Sequence, residues 1–330
     1  MKKFQKIICF ILTFAWLFSS VQATTLESKT AIQSQAIFTK DQILNTTKLV
    51  IDVVGAEYIH PESVDSVSKD LNHLITMHAS RYVNNRSRYI KEVGEVLRRS
   101  ANDGYIELLT NDTDFAIGGG LTFKYQQLKT NYGFEEAKIL DGNIGYLKIN
   151  HFFDNKEAEV VAQEALAVLK NTNAMIIDLR EANEGSMEFA QHLMSYFIDT
   201  ETLLAEIHYQ RQEKTLKLES IEGLGYANFK QNYPIYILTS AFVTHAAEFF
   251  SYTLQHFDRA AIIGRKTMGV SSLSQEFVIN EWLTLKLPVA LPINPITKSN
   301  WEGEGVIPDI DVDTKRSFET AYQHARNLIR

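Results

Sequence analysis

From Lys40 to Arg99 the apolar residues recur at helical spacing. Ile43, Leu49, Val50, Val53 and Val54 mark a first segment, and Pro61 interrupts it. Val64, Val67, Leu71, Leu74 and Ile75 mark a second between Ser63 and Met77; Ile90, Val93, Val96 and Leu97 mark a third. A period between three and four residues is what a helix with one buried face shows. The pattern predicts a small helical N-terminal domain over residues 24–100, with 24–37 as a loose polar lead-in. After Asn102-Asp103-Gly104, a turn signal, the character changes. Strands are predicted at Ile144–Ile149, Ala174–Leu179, Tyr233–Thr239 and Ala260–Gly264. Helices are predicted at Lys156–Lys170, Ser186–Phe197 and His245–Phe257. Ser274–Ile279 and Trp282–Val289 read as a hairpin around Asn280-Glu281. Strands alternating with helices argue for an α/β core with a largely parallel sheet over residues 101–330.

The first 23 residues have a different logic. Lys2, Lys3 and Lys6 precede an apolar run from Ile7 to Phe18, and Ser19 to Ala23 ends in a small-x-small pattern. That is the layout of a cleavable secretory signal, with cleavage expected after Ala23. The run is shorter than the roughly 20 apolar residues a spanning helix needs, so no stable membrane span is expected after cleavage. The single cysteine, Cys9, lies inside the run. The remaining chain then has no thiol for a disulfide, a nucleophile or a metal ligand, which suits an oxidising compartment, periplasmic or extracellular. The net charge of −7 argues against nucleic acid as a partner. With 45% hydrophobic and 11% aromatic residues the chain can build a core rather than stay disordered. His60, His73 and His78 lack metal-ligand spacing, and no metal or other cofactor is expected.

In open α/β sheets, ligands collect at the carboxyl ends of strands beside helix N-termini. Two such junctions stand out: Ile176 to Arg180 running into Glu181–Ser186, and Tyr236 to Ser240 running into Thr244–Glu248. A third cluster is the loop Asn300–Asp309, with two glycines and several carboxylates. Together with Gly142–Leu147, and in this order, these segments resemble the S41 serine peptidases, the tail-specific or C-terminal-processing proteases. The nearest likeness is the branch with interphotoreceptor retinoid-binding protein modules. The counterparts are "GNIGYL" at 142–147, "IIDLR" followed by a turn at 176–185, the "LTS" strand before an "S-A-A-E" helix at 238–248, and "NWEGxGVxPD" at 300–309. The resemblance spans roughly residues 100–325. It implies a ClpP/crotonase-like spiral β core with flanking helices, and a cleft that takes polypeptide or a small apolar ligand.

The resemblance also exposes departures. The family's nucleophilic serine falls on His245, and its general-base histidine on Tyr105. A serine serves as nucleophile because a base takes its proton; a phenol with an ordinary pKa near 10 is a poor base at neutral pH. The family's glycine-rich oxyanion turn is Glu181-Ala182-Asn183-Glu184-Gly185 here, and a carboxylate at Glu184 opposes developing negative charge. Glu302 stands where the family can carry the acid that orients the base, and reads equally as a loop-shaping carboxylate. The reading is an exported, catalytically impaired peptidase homologue that binds in its cleft. The alternative is an active endopeptidase with a rearranged site, Ser186 acting as nucleophile with His245 as base. Against it, a serine at a helix start usually serves as a cap.

Overall fold

The computed structural model describes residues 38–111, 125–226, 229 and 232–329. The expected signal segment, including Cys9, lies outside the described residues. The described residues from Phe38 onward form one compact unit.

Three helices come first: α1 (Lys40–Glu57), α2 (Val64–His78) and α3 (Arg86–Ala101). Thr39 begins α1 with a reciprocal cap, its side chain accepting from the Gln42 amide while the Gln42 side chain accepts from the Thr39 amide. Asn102, in the left-handed conformation, ends α3.

A six-stranded sheet follows, in the order β11 (Ile310–Asp311), β8 (Ala261–Gly264), β7 (Ile235–Thr239), β4 (Ala174–Asp178), β3 (Ile144–Ile149) and β2 (Phe134–Leu140). All neighbours pair in parallel except β2, which runs antiparallel on β3. The connections are helices α4 (Lys156–Leu169), α5 (Met187–Met194) and α6 (His245–His256), while α7 (Thr314–Ile329) closes the chain. Alternation along each strand divides the core. Met175 and Ile177 of β4, with Ile235 and Ile237 of β7, join residues of α4, α5 and α6. Ala174, Ile176, Tyr236 and Leu238 face Ala321 and Ala325 of α7. Burial on both faces is why these strands are near-continuous apolar runs.

The second sheet is antiparallel: β1 (Glu107–Thr110), β10 (Leu283–Ile293), β5 (Leu203–Tyr209) and β6 (Lys214–Glu219), with β9 (Leu273–Asn280) also on β10. The expected hairpin at Asn280-Glu281 is β9–β10, with Asn280 opposite Leu283. The β5–β6 hairpin, β1, β2 and α7 were not expected from the apolar pattern. Helix α5 is also shorter than expected: Ser186 caps it rather than joining it, and it ends at Met194, three residues before Phe197.

The helical region does not close on itself. Its core of Ile43, Val50, Val67, Leu71, Val93 and Leu97 is completed by Ile279, Leu283, Leu285 and Leu287 from β9 and β10. The β5–β6 tip grips the same region: the Arg211 guanidinium donates to the Gly55 and Ala56 carbonyls near the end of α1. A cation there complements the negative end of the helix dipole. The architecture is thus a mixed α/β fold of two sheets with flanking helices. Among the described residues, no helix is long and apolar enough to cross a membrane.

Candidate functional site

The site sits where the parallel strands β4 and β7 end. Strand β7 stops at Thr239, and Ser240 turns the chain: its hydroxyl donates to the Arg180 carbonyl (2.6 Å) and accepts the Phe242 amide (3.1 Å). Thr244 is extended, and His245 then adopts φ +50° at the first position of α6. A non-glycine residue in this left-handed region stores about 1–3 kcal/mol of strain, of the kind found where a side chain must be presented at a sharp strand-to-helix turn.

The Glu248 carboxylate secures that turn. It is fully buried and accepts four hydrogen bonds: from the His245 amide (3.1 Å), the Thr267 hydroxyl (2.5 Å), and the Gly269 (2.6 Å) and Val270 (2.8 Å) amides. Burial pushes its pKa up, and the four donors pull it back part of the way. Glu302 takes over one residue later, accepting from the Ser271 amide (2.7 Å), the Ser271 hydroxyl (2.7 Å) and the Ser272 amide (2.9 Å). Four consecutive amides, from Gly269 to Ser272, are therefore held by two carboxylates. Gly305 lets the 300–309 loop close on this segment, since a Cβ there would lie 2.3 Å from the Thr267 carbonyl oxygen.

Tyr105 and His245 come together. Their ring centroids are 5.4 Å apart and the planes nearly perpendicular, at 88°. Asp103 holds Tyr105 from behind, accepting its amide (2.8 Å) on one oxygen and the Tyr58 hydroxyl (2.9 Å) on the other. Burial raises the Tyr105 pKa, and Glu248, Glu302 and Asp103 raise it further, so the phenol stays protonated. Burial lowers the His245 pKa, with Lys286 adding to that and Glu184 and Glu302 opposing it. Its Nδ1 is buried with no hydrogen-bond partner among the described residues.

The turn after β4 faces the same place. Glu184 is also left-handed (φ +55°), and its amide donates to the Thr244 hydroxyl (3.0 Å). Gly185 (φ +113°) presses on the chain leaving β3; a Cβ there would lie 2.6 Å from Phe152 Cβ. The Ser186 hydroxyl caps α5, accepting the Phe189 amide (3.2 Å) and donating to Glu188 (2.6 Å). Its proton therefore goes to a carboxylate on its own helix, not to the His245 imidazole. Arg180, earlier in the turn, is structural. It forks onto buried Asp178 (2.9 and 2.6 Å) and donates to the Thr314 carbonyl (3.0 Å).

Four functional candidates were not singled out in the sequence. Glu248 stands inside a quoted motif, but its partners come from the unpatterned segment 267–270. Asp103 reads only as part of a turn, Thr244 as an ordinary cap, and His151 as one residue of a loop. Burial lowers the His151 pKa, against the opposing effects of the Glu184 charge and the Asn183 backbone. Among the described residues, no group of three or more His, Cys, Asp or Glu side chains is placed to hold a metal ion.

Burial lowers the pKa of His151, His192, His245 and His256. The unfolded chain, with ordinary values near 6.5, then binds more protons than the folded chain below that pH. Stability is expected to fall as the pH drops from 7 to 5. His245→Gln should flatten that fall, measured by urea denaturation across the range.

At position 245 the arrangement offers an imidazole rather than a hydroxyl, and around it carboxylate, imidazole and phenol groups. Residues 143–312, a little more than half of the chain, match peptidase family S41. The carboxy-terminal processing protease CtpA of Bacillus subtilis is 25% identical over 213 residues, which are 61% of this chain and 44% of that protein. A probable CtpA-like serine protease of Staphylococcus epidermidis is 23% identical over 175 residues, 53% of this chain and 35% of that protein. The chain thus spans less than half the length of these relatives. Among solved structures, a putative peptidase from Parabacteroides merdae has a TM-score of 0.60 at 19% identity, covering 87% of this chain and 96% of that one. The photosystem II D1 C-terminal processing protease has a TM-score of 0.60 at 12% identity, covering 86% and 97%. These structures share the fold, and the matched segment contains the turn at 181–185, His245 and Glu302. The chain belongs to peptidase family S41.

Proposed function

We propose that this is an exported S41 protein whose cleft binds polypeptide without hydrolysing it. The observation that carries the reading is the imidazole of His245, packed against the Tyr105 phenol where the family resemblance calls for a serine and its base. Serine chemistry needs a hydroxyl whose proton a nearby base accepts. Here the residue at the elbow has no hydroxyl, and the residue facing it has a raised pKa. The Glu184 amide, a donor in the turn where an oxyanion would be stabilised, is engaged by Thr244. Polypeptide is favoured as the ligand because the matching relatives are named as processing proteases. A route through Ser186 would first have to break its bonds to Glu188 and the Phe189 amide.

The test uses the chain lacking residues 1–23, an unfolded protein substrate and a fluorophosphonate probe. No labelling and no cleavage are expected, together with saturable retention of the unfolded polypeptide. Cleavage that disappears in Ser186→Ala or His245→Ala would overturn the reading. For export, the full chain is expressed with its leader and the N-terminus is sequenced. Thr24 is expected as the first residue, and an intact Met1 after passage through the export machinery counts against it.

A further inference from the structure

Strand β2 reads Phe134-Glu135-Glu136-Ala137-Lys138-Ile139-Leu140, and side chains along a strand alternate between the two faces of its sheet. Ala137 lies opposite Leu147 of β3 and packs on the core beneath α4. Glu136 and Lys138 lie opposite Lys148 and Tyr146, on the other face. Both are exposed. The Lys138 ammonium holds the Glu136 carboxylate (2.8 Å) and stands 5.0 Å from the centre of the Tyr146 ring.

This strand ends the six-stranded sheet, and among the described residues it pairs with β3 alone. From Glu135 to Leu140 its outward amides and carbonyls have no further partner among those residues. Seven residues make a long strand to leave open, and an open edge is a template for another strand. Many edges are guarded by charge of one sign, which repels a second copy of the same strand. Strand β2 carries both signs, two residues apart on one face.

That spacing fits a two-fold axis. Two copies of an edge strand that pair antiparallel are related by an axis perpendicular to the sheet, so each face continues into the same face of the other copy. With the axis at Ala137, Glu136 of each copy stands directly opposite Lys138 of the other. Moving the axis by one residue sets Glu136 against Glu136, or Lys138 against Lys138. Like charges directly opposite each other destabilise a pair of strands, and opposite charges stabilise it. In the favoured register the four charged groups alternate around a square, and the Glu136–Lys138 pair within each copy already forms one side of it. On the other face Ala137 meets Ala137, and the incoming strand covers part of Ile139, which is 51% exposed in the single chain.

We infer that two copies of this chain pair through the β2 edge, Glu136 opposite Lys138 about a two-fold axis at Ala137, joining their six-stranded sheets into one continuous sheet. The interface is self-complementary, as an isologous contact must be. Lys148 connects it to the candidate site, pairing with Glu135 of β2 (2.7 Å) and with Glu181 of the turn after β4 (3.3 Å). The inference stands apart from what the cleft binds.

The experiment is sedimentation velocity on the chain lacking residues 1–23, across a concentration series from micromolar to a few hundred micromolar. Monomer at the lowest concentrations and dimer at the highest are expected. Glu136→Lys brings two ammonium groups together on each side of the axis, and Lys138→Glu two carboxylates. Each should weaken dimerisation at least tenfold with an unchanged melting temperature. An equimolar mixture of the two variants places opposite charges at both contacts, and should recover the wild-type affinity as a dimer with one copy of each. The chain carrying both changes should also dimerise on its own. Monomer at every concentration overturns the inference. So does a dimer that neither single change weakens, or one that the mixture fails to restore.

Discussion

Glu248→Ala is expected to destabilise the protein by about 3–5 kcal/mol, because it strands several buried hydrogen-bond donors at once. The carboxylate is fully buried and accepts four hydrogen bonds. Alanine leaves the Thr267 hydroxyl and the His245, Gly269 and Val270 amides without an acceptor. Each unsatisfied buried donor costs about 1–3 kcal/mol, less whatever water entering the vacated space recovers. The damage should spread along the chain, because the same segment supports Trp301. Its indole donates to the Val270 carbonyl (3.1 Å) and stacks on Phe249. Urea denaturation followed by tryptophan emission should therefore show a lower midpoint with an unchanged slope. Glu248→Gln, which keeps the shape but presents an NH₂ to two of the donors, should fall between wild type and alanine. Glu302→Ala should cost less, because Glu302 accepts three hydrogen bonds and stands nearer the surface. A Glu302→Ala penalty equal to or larger than that of Glu248→Ala would show that the 267–272 segment does not depend on Glu248 in this way.

This pair of carboxylates also shows where sequence reading stops. Strands β3, β4, β7 and β8 were legible because burial on both faces makes them continuous apolar runs bounded by turn residues. Helix α7 was not, because it buries Ser317, Ala321 and Ala325, small residues that give a weak apolar signal even at perfect helical spacing. Strand β6 was invisible for the opposite reason: almost every side chain in it is exposed, and it is ordered by pairing to β5. The meeting of Tyr105 and His245 was accessible only through the family resemblance, which put Tyr105 at the base position and His245 at that of the nucleophile. No local pattern connects a turn after α3 with the start of α6. The hydrogen bonds to Glu248 had no signal at all, since backbone amides of any sequence serve as donors. The helical region looked separable in the sequence, yet its core is completed by β9 and β10, whose apolar residues carry no mark of which helices they cover.

Changing two side chains, Tyr105→His with His245→Ser, is expected to give the protein hydrolytic activity that neither single change produces. The backbone is already arranged for it. Residue 245 is held at φ +50° by the strand-to-helix turn and by the bond from its amide to Glu248, neither of which depends on the imidazole. Residue 105 is fixed through its amide to Asp103, and the two rings already touch, so an imidazole at 105 faces a hydroxyl at 245. Burial, the larger cause of the raised Tyr105 pKa, would lower that of a histidine there, while the field of Glu248, Glu302 and Asp103 would oppose that fall and favour a histidine able to accept a proton. A positioned base contributes about 10²–10⁴-fold, enough to register as fluorophosphonate labelling and slow cleavage of an unfolded polypeptide. The turn remains an obstacle, because the Glu184 carboxylate repels the oxyanion and its amide faces Thr244. Adding Glu184→Gly should therefore raise the rate again, by up to about 10²–10³-fold if one oxyanion donor is recovered. If the double variant is inert and the triple variant active, the block lies at the turn. If the triple variant folds with an unchanged melting temperature and still neither labels nor cleaves, residues 105, 184 and 245 do not account for the difference between this cleft and a working one.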